Sequence, residues 1–250
     1  MAIGSTPGPS ASEPQASTSA IGRVFGVLFS PKATFGDIVR KPTWMLPVAV
    51  LGVLALLVGI GINQKVNWHE FIRQQIEKSP QAARLSEEQK EKRIEAGTKI
   101  APITAYAGVL VTIVLVLMVA LVMWGAYNVL AGVNPGYATA LGIVSHAYVP
   151  VVIGNILFLV VLFLKAPGTL DLDNPVATNL AAFLPEDAPK WLEALGKNLD
   201  LFLLWVLILI AMGFAAASPK KLKGMKSYGI AFGVFAVYVV IRVGIAFALS

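Results

Sequence analysis

Few residues in this chain have types and spacings that could do chemistry. His69-Glu70 opens a metalloprotease-like H-E-x-x-H, in which two histidines one helical turn apart hold zinc and the glutamate acts as base. The position for the second histidine holds Arg73, so no zinc site is expected. Asp171-Leu172-Asp173-Asn174 gathers hard oxygen ligands as a calcium loop does. The glycine and distal glutamate of an EF-hand are missing at the required spacing, and the stretch reads as a solvated loop. With no cysteine in the chain, disulfides, thiolate metal sites, iron–sulfur clusters, cysteine nucleophiles and S-acylation are excluded. There is no Walker A loop and no G-x-S-x-G, and no paired buried carboxylates are expected. The chain therefore reads as non-enzymatic, with no cofactor and no metal.

Two other ionisable residues stand in strongly apolar stretches. Arg242 falls inside the last hydrophobic segment, and an intramembrane charge is a functional-site candidate by default. If the last two segments form an antiparallel hairpin, Arg242 faces about residue 203, roughly one helical turn from Asp200. A structural pair between Asp200 and Arg242, direct or through water, is the expected arrangement. His146 is the one titratable side chain other than tyrosine within residues 100–164. It reads as an interfacial histidine hydrogen-bonded to a neighbour in preference to a proton relay.

The elements that must position these residues are set by hydropathy. Hydrophobic residues make up 56% of the chain and charged ones 14%, with a mean hydropathy of +0.73. Soluble domains carry nearer a quarter charged residues, so the composition is that of a membrane protein. The net charge of +6 is not gathered on one stripe that could follow a phosphate backbone, so nucleic acid is not an expected partner. Residues 44–62 run for nineteen positions without a charge, long enough to cross a bilayer core. Residues 100–164 contain no Asp, Glu, Lys or Arg, and as one helix they would reach about 100 Å. At least two spans must therefore be folded together there, with Asn134-Pro135-Gly136 as the turn.

The expected fold is all-α: a polytopic integral membrane protein with five transmembrane helices near residues 44–62, 103–127, 149–164, 201–218 and 228–249, plus interfacial amphipathic helices. Residues 1–20, rich in proline, serine, alanine and glycine, read as a disordered tail without the basic and apolar regions of a signal peptide. Residues 21–250 read as one membrane domain. In the lead-in, Ser30-Pro31 starts a helix with Phe35, Ile38 and Val39 on one face, and Pro42 ends it. Residues 63–99 carry eight basic and six acidic residues and read as a solvated helical hairpin. Ser86 and Gln89 form a capping box that opens a helix running on into the second span. Residues 137–148 are milder and read as an interfacial or half-buried helix, with Pro150 either separating it from the third span or kinking a single longer helix. Trp191, Leu192 and Leu195 suggest a short amphipathic helix at the membrane surface. Gly229 and Gly233 form a GxxxG that leaves room for self-association.

Arg40 and Lys41 precede the first span, and Lys220, Lys221, Lys223 and Lys226 form a basic turn before the last. The positive-inside rule places both clusters and the N-terminus in the cytoplasm, and the acidic loop over residues 165–200 outside. These six residues are the candidate contacts for membrane lipid or for a membrane or cytoplasmic protein partner.

Three segments, LFSPKATFGDIVRKPTWMLPVAVL, SHAYVPVVIGNIL and NLDLFLLWVLILIAMGFAAASPKK, together with LSEEQKEK in the polar insert, give the chain a likeness to a known family. It resembles the Yip family, whose eukaryotic members are named as interactors of Ypt/Rab GTPases, and is most similar to the bacterial branch. The resemblance covers nearly everything after residue 20. It implies a multi-pass membrane protein without an established catalytic activity, in the bacterial inner membrane, acting as a scaffold or adaptor by analogy with membrane-trafficking relatives. The alternative is a small transporter or channel component using Arg242 and His146.

Overall fold

The computed structural model describes residues 19–79, 82–166, 172, 174–185 and 187–248. The expected tail lies outside them up to residue 18, as do Asp171 and Asp173 of the calcium-like stretch and Glu186 of the acidic loop. Among the described residues the chain forms ten α-helices and no extended strand, in keeping with the expected all-helical class.

Helix α1 (Ala20–Phe29) begins at a serine cap, with the Ser19 hydroxyl accepting from the Gly22 N–H. A single residue separates it from α2 (Pro31–Arg40), which starts at Pro31 as the sequence indicates. The Ser30 side chain makes no capping bond. Instead its carbonyl accepts from both the N–H and the hydroxyl of Thr34. Phe35 and Ile38 of α2 are fully buried, facing α6 and α9 within the bundle.

Among the described residues, four helical stretches are long and apolar enough to cross a membrane: α3 (Met45–Lys65), α5 (Glu87–Ala131), the α6–α7 pair over Tyr137–Leu164, and α10 (Lys226–Ala248). The remaining expected span, over residues 201–218, is α9 (Leu201–Ala217), which has seventeen residues, about 25 Å of helix. It is shorter than the other four, yet it carries much of the core: Val206, Leu207, Leu209, Ile210, Ala211 and Phe214 are buried between its neighbours. A helix that is apolar all round can be enclosed in this way without exposing a polar face.

Helix α5 merges two expected elements. Its first turns are polar and start at the Ser86–Gln89 capping box, with both reciprocal bonds formed. Lys90–Glu87, Lys92–Glu88 and Lys99–Glu95 pairs lace the polar end, where exposure to solvent keeps their contribution small. Helix α4 (Trp68–Glu77) packs against this end, forming the expected hairpin. Asn63 ties the hairpin to α3 by donating to the Pro102 carbonyl and accepting from the Trp68 indole N–H.

Helix α6 (Tyr137–Ala147) corrects the sequence reading. Expected at an interface or half-buried, it is enclosed over residues 139–147 by α2, α5 and α9. A break at Tyr148 joins it to α7 (Val149–Leu164). The apolar stretch thus continues past Pro150, which occupies the first turn of α7 where its missing N–H costs nothing. Helix α8 (Lys190–Asn198), the expected short amphipathic helix, packs against α10.

Candidate membrane and partner contact surface

The basic turn between α9 and α10 is fastened to the rest of the bundle at two levels. Tyr127 of α5 stacks on Phe214 of α9 and donates its hydroxyl to the Ser227 carbonyl at 2.6 Å. Ser227 in turn donates to the Ala211 carbonyl at 2.6 Å. Three helices are therefore joined by one buried polar chain just inside the turn. At the surface, the Lys221 ammonium donates to the carbonyl of Gly132, the left-handed residue at φ 61° that ends α5. A cation there complements the negative end of the helix dipole. All four lysines are exposed, and Lys221 is the one engaged with the α5 terminus.

The lead-in meets the same end of the bundle. Phe35 lies against Gly213, four residues before the end of α9. A β-carbon on Gly213 would stand 2.3 Å from Ile143 Cγ2 and 3.1 Å from Phe35 Cδ1, so glycine is what lets α2, α6 and α9 meet. Arg40 pairs with Asp37 one turn back, and Lys41 is exposed.

Arg23 is a buried charge that reading by hydropathy missed. It is 3% exposed, and its Nη1 donates to the Lys41 carbonyl at 2.7 Å and to Thr43 Oγ1 at 3.0 Å. Helix α1 is inverted relative to a soluble amphipathic helix. Its one charge points inward, while Ile21, Phe25 and Phe29 are 65%, 60% and 80% exposed. The signal was present in the sequence: these three residues recur at i, i+4 and i+8, a second apolar stripe beside the one that packs inward.

The structure does not bring Asp200 and Arg242 into direct contact. Asp200 is the N-cap of α9: one carboxylate oxygen accepts from the N–H groups of Phe202 and Leu203, at 2.9 and 3.1 Å. The other accepts from the Thr178 hydroxyl. Arg242 is exposed on α10, and no ion pair joins it to an acid among the described residues. His146 is 1% exposed in the core, with Nδ1 2.8 Å from the Gly142 carbonyl in its own helix. The expected hydrogen bond is there, but the surroundings are interior. Arg242 and His146 thus occupy unlike environments. Gly229 and Gly233 would meet nothing within 4 Å if given a β-carbon, so the GxxxG serves no packing among the described residues. No group of three or more His, Asp or Glu that could hold a metal ion occurs among the described residues.

Comparison with the curated proteins and with the solved structures finds no match. The family model described as the Yip1 domain, in contrast, matches residues 25–247. That range runs from α1 to the end of α10 and takes in the lead-in, the polar hairpin and the lysine turn. On that coverage the chain belongs to the Yip1 domain family, a multi-pass helical membrane protein.

Proposed function

We propose that this protein is a non-enzymatic membrane scaffold that holds anionic lipid and a protein partner at one basic end of its bundle. One observation carries the reading: α2 crosses the part of α9 that leads into the lysine turn. This brings Arg40 and Lys41 toward the end of the bundle that bears Lys220, Lys223 and Lys226. Each such cation near an anionic surface attracts it by about 1 kcal/mol. In this reading α9 is a crossing as well, the fourth of five in chain order, and the N-terminus and lysine turn are cytoplasmic. The acidic loop and α8 lie on the far side of the inner membrane. Helix α1 supports an interfacial placement for the lead-in, because the Ile21–Phe25–Phe29 stripe suits acyl chains and no polar face opposes it. Membership of the family adds the analogy of partner binding in membrane trafficking.

Photo-crosslinkers at Lys41 and Lys223 in native membranes test the proposal. Capture of one and the same protein from both positions is the expected outcome. Capture from neither position, with lipid binding unaffected when Lys220, Lys223 and Lys226 are replaced by glutamine, contradicts it.

A further inference from the structure

Arg23 poses a physical problem that its two hydrogen bonds do not solve. Both bonds use Nη1; Nε is buried without an acceptor. Among the described residues no carboxylate lies within ion-pair distance of it. A buried charge left with one edge of its fork empty is costly, and an unfilled buried donor points to a group that completes it.

The neighbouring backbone makes the same demand. Arg23 reaches Lys41 and Thr43, the residues that lead into α3. That helix starts with Trp44 at the N-cap position and has no side-chain capping bond. The N–H groups of Met45 and Leu46, in the first turn, have no carbonyl four residues back within the helix, and Pro47 has no N–H to give. The positive end of a 21-residue helix is therefore open beside an unpaired guanidinium. Lys41 adds an exposed cation at the same turn. Helix α6 closes the inner side, with Gly142 so near the turn that a β-carbon would stand 3.3 Å from the Thr43 carbonyl.

We propose that the junction of α1, the turn over residues 41–44 and the start of α3 binds a phosphate-bearing anion. The phosphate is either that of an anionic phospholipid headgroup or free inorganic phosphate. It meets the N–H groups of Met45 and Leu46 and the charge of Lys41, and it gives the Nε edge of Arg23 the acceptor it lacks. Arginine suits this position because its planar fork meets two phosphate oxygens at once. Occupancy fastens α1 to the bundle, since Arg23 belongs to α1 and the N–H groups belong to α3. The inference deepens the scaffold reading and rests on this end of the bundle facing the headgroups.

The test uses the full chain, purified in neutral detergent and titrated separately with phosphatidylglycerol, phosphatidylcholine and inorganic phosphate. Binding is read by native mass spectrometry and by the rise in Tm. Phosphatidylglycerol is expected to bind more tightly than phosphatidylcholine. Lys41→Gln should weaken it about fivefold, and Arg23→Lys, which keeps the charge but loses the fork, by at least as much. Arg23→Gln should abolish the preference; if that variant does not fold, Lys41→Gln and Arg23→Lys decide. Saturable binding of inorganic phosphate with the same variant pattern assigns the site to the free ion, and binding of the lipid alone assigns it to the headgroup. Unchanged affinity in both Lys41→Gln and Arg23→Lys overturns the proposal. If affinity is then lost when Lys220, Lys223 and Lys226 are replaced together, the scaffold reading survives without this site. If that triple variant also binds as before, both fall.

Discussion

Tyr127 and Phe214 lie face to face with ring centroids 3.9 Å apart and planes 1° from parallel. The stack joins the end of the longest described helix, α5, to the end of α9. The tyrosine hydroxyl extends the contact to Ser227 on a third helix. Tyr127→Phe keeps the stack but removes the hydroxyl's bond to the Ser227 carbonyl, a loss of about 0.5–1.5 kcal/mol. Tyr127→Ala also empties the cavity and should cost about 3–5 kcal/mol. Unfolding in mixed micelles, followed by circular dichroism, measures both. Equal losses for the two variants would mean that the ring contributes nothing beyond its hydroxyl.

Gly213 and Gly233 should respond differently to the same change. At Gly213 the added methyl collides with Ile143 and Phe35, so Gly213→Ala should destabilise the fold by about 1–3 kcal/mol. It should also loosen α2, raising proteolysis in the lead-in. At Gly233 the methyl enters open space, and the monomer's stability should stay within about 0.5 kcal/mol. Any effect of Gly233→Ala confined to the dimer fraction would place that face between copies of the chain.

Asp200 acts as a helix cap, and its role does not depend on Arg242. Asp200→Ala should cost about 1–2 kcal/mol through loss of the α9 cap. Arg242→Gln should add independently of it, within about 0.5 kcal/mol in a double-mutant cycle. A coupling well above that would show a bridge between the two side chains after all.

Lys221 and Lys223 are four-lysine-turn neighbours with separate roles. Lys221→Gln removes a donor from the α5 terminus and should lower stability by about 0.5–1.5 kcal/mol. Lys223→Gln should leave stability unchanged and weaken attachment to anionic vesicles. Titration of both variants with phosphatidylglycerol vesicles, alongside thermal unfolding, separates the two effects.

Much of the helical framework was legible because it depends on local signals. Charge-free runs marked α3, α7 and α9, Pro31 marked the start of α2, and Ser86 with Gln89 marked the start of α5. What could not be read was which apolar face meets protein and which meets lipid, since both are satisfied by the same residues. That ambiguity hid the enclosure of α6, whose mild composition looks interfacial although its small residues let three helices close around it. It also hid Arg23, a charge in an apolar lead-in that hydropathy assigns to the surface. Asp200 was legible in principle, as an acid directly before a helical run. The hairpin register that pointed from it to Arg242 took no account of that capping role.

If α9 crosses the membrane, the acidic loop and the lysine turn face opposite compartments. The chain has no cysteine, so single cysteines report position without background. Glu193→Cys and Lys223→Cys are labelled in intact cells with a membrane-impermeant maleimide, before and after permeabilisation. Glu193→Cys is expected to label in intact cells, and Lys223→Cys only once the membrane is opened. Labelling of both from the same side would contradict that crossing.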